Sequence, residues 1–239
     1  MTSHRLTIVT ATAVLLISAD CAPGTVAVEY RNGDGHTFSR AERRAIDAVA
    51  ARAVRDAREL LPALPAELRL TVQTGRRVIP ETGETGEIGL PGGVYWTVDP
   101  AHDGGVIAVV NAQLRATLLH ELYHLVREAR FASFSLIDRA IGEGLATAFE
   151  RDHGGAATPW GEYTSEVSGW TEEFLTLPDD APRSAWMSRH PDGRRWIGYK
   201  VGTYLADRAV RVSGLSLAQL ATVPTATIVE WGSQPNPGR

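Results

Sequence analysis

The segment of residues 112–130 constrains the fold most, because it contains neither glycine nor proline and carries two histidines four residues apart. Such a run is typical of an α-helix, which we expect over about 113–129. At about 100° per residue, His120 and His124 lie roughly 40° apart on one face of that helix. The opposite face is apolar and holds Leu118, Leu122 and Leu125. The pattern predicts a helix that is buried by its leucines and turns its histidines towards a cleft.

The two histidines belong to the pattern His120-Glu-Leu-Tyr-His124, whose spacing lets both imidazoles reach a single ion. Glu121 points about 100° away from His120, near enough to touch a water on that ion without binding the ion. Imidazole nitrogens are common zinc ligands, and a carboxylate beside them is suited to general-base catalysis. We therefore predict Zn²⁺ as cofactor, with His120 and His124 as ligands and Glu121 as general base. The alternative is a pair of core histidines.

A catalytic zinc usually has three protein ligands and an open fourth position. A metzincin would supply the third ligand as a histidine at position 130 after a glycine at 127, but this chain has Arg130 and Arg127. That class is excluded. The next predicted helix, over about 135–152, carries Glu143 between two glycines. Each glycine lowers helix propensity by up to about 1 kcal/mol, which indicates the close approach of another helix or a ligand.

Three motifs carry a resemblance to known proteins. His120-Glu-Leu-Tyr-His124 followed by Gly142-Glu-Gly-Leu-Ala146 resembles the gluzincin (thermolysin-like) metallopeptidases. With Ile197-Gly-Tyr-Lys-Val-Gly-Thr-Tyr204 added, the chain resembles a bacterial family of predicted Zn-dependent proteases of unknown function, over roughly residues 105–205. The resemblance implies a two-helix zinc site under an antiparallel sheet edge, with Glu143 as third ligand. Thr147 stands where thermolysin has an aspartate, which leaves the residue that orients a histidine ligand unassigned.

Residue counting also favours Glu143 over three other candidates for the third ligand. The eighteen residues between His124 and Glu143 allow the first helix to end, a short turn, and about two turns of a helix running back beside it. Glu143 is then level with the metal. Glu128 would have to reach back along its own helix, Asp138 would lie near the far end of the first helix, and His153 would lie too far along the second.

The N-terminal residues 1–22 have the layout of an export signal. His4 and Arg5 precede an uncharged apolar run over 6–17, and small residues follow. We expect an exported protein, secreted or at the cell surface, with residues 23–239 forming a single zincin-like metallohydrolase domain. Cys21 lies where a lipoprotein would be acylated, although Asp20 before it departs from that pattern, so a lipid anchor is an alternative. We predict no membrane-spanning segment in the rest of the chain.

The remaining pattern predicts an α+β fold: a small antiparallel-containing β-sheet in the N-terminal half, packed on a mostly helical C-terminal half. A capping box at Ser39-Arg-Ala-Glu42 starts a helix that ends near Pro62. We expect strands at 68–73, 94–98 and 106–110, the last two paired as a hairpin, a glycine-rich loop at 83–93, and further helices at 161–176 and 195–212.

These observations predict an exported zinc-dependent peptidase acting on a peptide or protein substrate. A zinc hydrolase of another amide or ester and a non-catalytic binding protein are the alternatives. The formal charge of −4 argues against a nucleic-acid partner. The developing oxyanion needs a hydrogen-bond donor, for which Tyr199, Tyr204 and His190 are candidates, with Tyr199 preferred. We expect an extended substrate to add as a strand to the edge of the 94–110 hairpin.

Overall fold

A computed structural model describes residues 25–33, 35–89, 92–131, 135–178 and 180–234. The predicted export segment, with Cys21, lies outside them. The model confirms the α+β class, with a sheet in the N-terminal half and helices in the remainder. Four strands form the sheet: β1 (Val26–Arg31), β2 (Leu68–Thr74), β3 (Glu84–Gly89) and β4 (Gly93–Val98). In the described ranges, no helix is both long enough and apolar enough to cross a membrane.

One long helical segment contains the two histidines. The first helix contacts β1, and the others follow the sheet in the chain. Their bounds are α1 (Arg40–Leu60), α2 (Gly105–Val109), α3 (Arg115–Glu128), α4 (Leu136–Gly154), α5 (Val167–Leu175), α6 (Arg183–Met187), α7 (Ile197–Ser213), α8 (Leu217–Leu220) and α9 (Thr225–Ser233). A π-helical turn, Val110–Leu114, joins α2 to α3, so that the chain is helical from Gly105 to Glu128.

The sheet is mixed, with strand order β1-β2-β4-β3. Strands β1, β2 and β4 are parallel, whereas β3 runs antiparallel to β4 and forms one edge. Among the described strands β3 pairs with β4 alone, and an isolated bridge joins Glu84, at the start of β3, to Ile79. The predicted antiparallel component of the sheet is therefore present, and it lies at the edge next to α3.

Two local predictions are wrong. Residues 106–110 are helical rather than a strand, so the expected 94–110 hairpin does not exist. Val106, Val109 and Val110 are buried while Ile107 is 41% exposed, which is the three- and four-residue spacing of a helix face. A short run of β-branched residues fits a strand or a buried helix equally well. The second error is the loop expected at 83–93, which contains β3.

Helices α3 and α4 lie antiparallel, as the residue count predicts. Glu143 on α4 contacts His124 and His120, Glu150 contacts His120, and a Cβ on Gly154 would lie 2.8 Å from the Ala116 Cα. Residues later in α4 thus contact residues earlier in α3, as they do in an antiparallel helix pair. The predicted apolar face of α3 is buried, with exposed fractions of 1–3% at Leu118, Leu122 and Leu125. The opposite face is left for the histidines.

Gly144, beside Glu143, does mark a close helix approach, but the partner is α7 rather than α3. A Cβ on Gly144 would lie 2.0 Å from the Gly202 carbonyl carbon, and a Cβ on Gly202 would lie 1.8 Å from the Ala140 oxygen. Both contacts are with backbone atoms, which cannot rotate away. Backbone contact between α4 and α7 thus holds the helix that carries Glu143.

We expect Gly144→Ala to lower the free energy of unfolding by about 2 kcal/mol or more, because the added methyl group must push two helices apart. Gly169→Ala is the matched control, since a Cβ there, on the exposed face of α5, meets nothing within 4 Å. It should leave stability unchanged or raise it by up to about 1 kcal/mol. Thermal and denaturant unfolding of both variants measures the difference. Equal stability of the two variants would contradict the packing described.

Candidate metal centre

Three side chains from α3 and α4 converge on one point. The Nε2 atoms of His120 and His124 lie 3.1 Å apart, and each lies 3.3 Å from Oε2 of Glu143. A tetrahedral zinc with ligand bonds of about 2.0–2.1 Å separates its donor atoms by roughly 3.3–3.4 Å. The three donors therefore have the type and spacing that zinc requires, and they form a group able to hold a metal ion.

Charge and burial favour an anionic ligand at Glu143. The side chains of His120, His124 and Glu143 are 11%, 8% and 14% exposed. Burial alone would raise the pKa of Glu143, but the charges and hydrogen bonds of the two histidines outweigh it and hold that pKa well below its usual range. Glu143 thus stays ionised at neutral pH and is ready to bind a cation.

Glu121 lies beside this group without joining it, and its side chain is enclosed by β3. The residue is 7% exposed, and a Cβ on Gly86 of β3 would lie 2.6 Å from Glu121 Oε1. Burial raises the pKa of Glu121 to about 7, against the opposing effect of His120 and His124. The positive charge of a bound metal would act in the same direction as the histidines and favour the carboxylate. A carboxylate in this position can accept a proton near neutral pH.

The residue in position to orient His120, unassigned from the sequence, is Glu150. Its Oε2 lies 3.0 Å from His120 Nδ1, the ring nitrogen that faces away from Glu143. The Trp160 indole donates to the same oxygen at 3.4 Å. Glu150 follows Glu143 by seven residues, about two helical turns, so it lies on the same face of α4. Helical spacing from the proposed ligand could therefore have identified it.

Glu150→Ala is expected to weaken zinc binding by about 10–100-fold, because the His120 ring loses the acceptor that holds its orientation. The zinc affinity of Glu150→Gln, whose amide oxygen can still accept from Nδ1, should lie between that of Glu150→Ala and that of the parent protein. Asp152→Ala, an exposed carboxylate on the same helix, is the control and should bind zinc normally. Competition with a zinc-chelating dye gives the three affinities. Unchanged affinity in Glu150→Ala would show that Glu150 does not support the ligand.

Strand β3 contributes a second buried carboxylate that the sequence did not single out. Glu84 is 2% exposed and accepts hydrogen bonds from the Trp96 indole at 2.8 Å and the Thr117 hydroxyl at 2.9 Å. Burial raises the pKa of Glu84, although these two hydrogen bonds oppose the shift. Thr117 is one turn before His120 on α3. Its hydrogen bond to Glu84 therefore joins the edge strand to the helix that carries the histidines.

The three candidate oxyanion donors lie in different places. Tyr199 lines the same cleft as the histidines and Glu143. Burial and the charge of Glu143 raise the pKa of Tyr199 well above its usual value, so its hydroxyl remains a donor. Tyr204 packs against Tyr163, and His190 packs against Trp186, outside the residues that line the cleft.

The other candidate ligands do not reach the donor group. Glu128 Oε1 lies 3.9 Å from His124 Nδ1, the nitrogen on the far side of the ring. Asp138 accepts hydrogen bonds from Ser135 in the capping box of α4. His153 packs against Phe149 near the other end of that helix.

The metal centre opens into a cleft of about 360 Å³. Strand β3 supplies part of its lining, and three aromatic residues from the C-terminal half supply another part: Trp160, Trp196 and Tyr199. A cleft of this volume lies near the lower end of the range of ligand pockets, about 300–1,000 Å³.

Comparison with known proteins agrees with this geometry. No curated protein and no solved structure matches the chain. One family model matches residues 46–230, which include α3, α4 and α7, and its description is a predicted Zn-dependent protease. The matched segment covers more than half of the chain, and it includes the two histidines and Glu143. The chain therefore belongs to the family described as predicted Zn-dependent protease (DUF2268).

Proposed function

We propose that this protein is an exported zinc-dependent peptidase in which His120, His124 and Glu143 hold the metal and Glu121 is the general base. The observation that carries the proposal is that the metal donors and the proton acceptor are different residues within one cleft. Three donor atoms lie 3.1–3.3 Å from one another, and a buried fourth carboxylate stands next to them without being one of them. A site that only binds metal has no need of that carboxylate.

A zinc ion at this site would supply an electrophile that acidifies water and polarises a carbonyl group. Glu121 accepts the proton of the attacking water and passes it to the leaving amine, a contribution of about 10²–10⁴-fold in rate. The Tyr199 hydroxyl donates a hydrogen bond to the oxygen on which negative charge develops. Its raised pKa supports this role, because a protonated phenol is the donor that the oxyanion needs.

The substrate is proposed to bind along β3, which replaces the hairpin edge expected from the sequence. An extended peptide can add to an open strand edge through main-chain hydrogen bonds, and β3 offers such an edge among the described residues after Glu84, which is bridged to Ile79. Gly86 of β3 lies against Glu121, so a peptide on this strand would pass beside the general base. This arrangement favours a peptide over a small amide or ester.

The peptidase proposal is tested with protein that begins near residue 22. We expect close to one zinc per chain and cleavage of some members of a peptide library at neutral pH, detected by mass spectrometry. A chelator should abolish the cleavage and added zinc should restore it. Metal-free protein with full activity would contradict the proposal.

Export is proposed from the basic and apolar layout of residues 4–19. Protein isolated from its native host should have an N-terminus near residues 20–28, or an acylated Cys21 if the segment is a lipoprotein signal. Mass spectrometry of the intact protein distinguishes the two forms. Cytoplasmic protein that retains Met1 would contradict export without affecting the assignment of the metal centre.

A further inference from the structure

Trp196 has a backbone conformation that its residue type disfavours. Its φ and ψ of 60° and 32° lie in the left-handed region, and it is the one non-glycine residue with positive φ in the described part of the chain. A bulky side chain in this region is strained, and such strain persists where the surrounding structure holds it and often marks a functional site. A glycine would make the same turn without strain, so the indole ring itself is the feature to explain.

The surroundings of Trp196 hold its ring in place. Its backbone N–H donates to the Ser188 oxygen at 2.9 Å, and its own oxygen accepts from the Lys200 N–H at 2.9 Å in the first turn of α7. The neighbouring Arg195 lies over the indole at 5.3 Å and forms an ion pair of 2.8 Å with Glu81, which lies just before β3. The hydrogen bonds at the start of α7 and the ion pair between Arg195 and Glu81 thus both hold the backbone turn at Trp196.

The Trp196 ring is the middle member of an aromatic row in the cleft. Its centroid lies 6.5 Å from that of Trp160 and 5.5 Å from that of Tyr199, both in edge-to-face contact. Trp160 donates to Glu150, and Tyr199 lines the same cleft as Glu143, so both ends of the row lie at the candidate metal centre. Trp196 is half-buried and lines the cleft between Trp160 and Tyr199.

We propose that Trp196 is a specificity-determining residue, which with Trp160 and Ile79, two other residues of the cleft lining, forms a subsite for an apolar substrate side chain next to the hydrolysed bond. This inference rests on the proposed peptidase function. Much of the remaining cleft lining is polar, including the carboxylates of Glu87 and Glu128. An apolar side chain therefore gains most by contact with the aromatic row, where it leaves water without burying a charge.

The test compares peptides that differ at one position. Library digestion by the parent protein should show enrichment of aromatic or large aliphatic residues at one of the two positions flanking the cleaved bond. Paired peptides with phenylalanine or glycine there should then differ in kcat/KM. Trp196→Gly and Trp196→Asn remove the ring with residue types that tolerate positive φ, so they keep the turn. Both should reduce the phenylalanine-to-glycine ratio by about 10–100-fold, with zinc content unchanged.

Trp170→Ala is the matched control, because Trp170 is an aromatic residue that packs near Arg194 outside the cleft lining. Trp170→Ala should keep the parental phenylalanine-to-glycine ratio of kcat/KM. Binding is measured separately by titrating zinc-loaded Glu121→Gln protein with each peptide and following tryptophan fluorescence. The phenylalanine peptide should bind more tightly, and adding Trp196→Gly should remove the difference.

Two outcomes separate this inference from the function on which it rests. If the parent cleaves peptides without an apolar preference, or if both Trp196 variants keep the parental ratio, the subsite assignment is wrong and the peptidase proposal stands. If the parent cleaves nothing, the peptidase proposal fails, and equal fluorescence affinities for the two peptides would overturn the subsite as well.

Discussion

Glu143→Ala is expected to remove the activity and to weaken zinc binding by more than the roughly 10–100-fold expected for loss of a supporting residue. Glu143 Oε2 is the one donor that lies 3.3 Å from both histidine nitrogens, and its carboxylate is the anionic member of the group. Two neutral imidazoles alone supply no negative charge to the ion and leave a second open position. Zinc analysis after gel filtration, followed by dye competition, gives the affinity.

Two single-residue controls separate a ligand from a nearby acid or imidazole. Glu128→Ala removes a carboxylate that lines the same cleft and approaches the outer nitrogen of His124. His153→Ala removes an imidazole further along α4. Both variants should keep zinc with parental affinity. Parental zinc affinity in Glu143→Ala, or loss of zinc in Glu128→Ala, would mean that the third ligand has been assigned to the wrong residue.

Glu121→Gln should keep zinc and lower kcat by at least about 10²–10⁴-fold, because the amide cannot accept the proton of the attacking water. Glutamine has nearly the same shape as glutamate, so it fits the space between α3 and Gly86 without moving the strand. Zinc content and the melting temperature should therefore stay near those of the parent. Single-turnover measurements on an excess of enzyme detect the residual rate.

The comparison variant for Glu121→Gln is His124→Ala, which removes a donor atom rather than the base. It should lose zinc and activity together. The role assignment would be reversed if Glu121→Gln lost the metal while His124→Ala retained it. Glutamine in place of Glu121 with parental kcat would instead mean that another group accepts the proton.

The histidine pair, the helix that carries it and the position of Glu143 could be predicted because each rests on helical spacing. His120, Glu121 and His124 are ordered by a single helix whose leucines bury it, and eighteen residues are enough to bring Glu143 back level with them. Glu150 follows the same rule at a spacing of seven, and it could have been found once Glu143 was taken as a ligand.

The sheet edge could not be predicted in the same way. Residues 84–89 contain two glycines and two glutamates, which is a poor strand composition, and their extended form depends on pairing with β4 and on contact with α3. The segment 106–110 has strand-like composition but is buried along one helical face, which only the tertiary packing reveals. Trp196 was equally hidden, because nothing in the local sequence signals a left-handed backbone at a tryptophan.

The most direct test of the account is a crystal structure of the zinc-loaded protein with anomalous diffraction recorded at the zinc edge. We predict one anomalous peak between α3 and α4, within about 2.0–2.2 Å of His120 Nε2, His124 Nε2 and a carboxylate oxygen of Glu143, with Glu121 outside ligand distance. A zinc ion bound elsewhere, or bound by the two histidines with Glu143 more than about 4 Å away, would contradict the account.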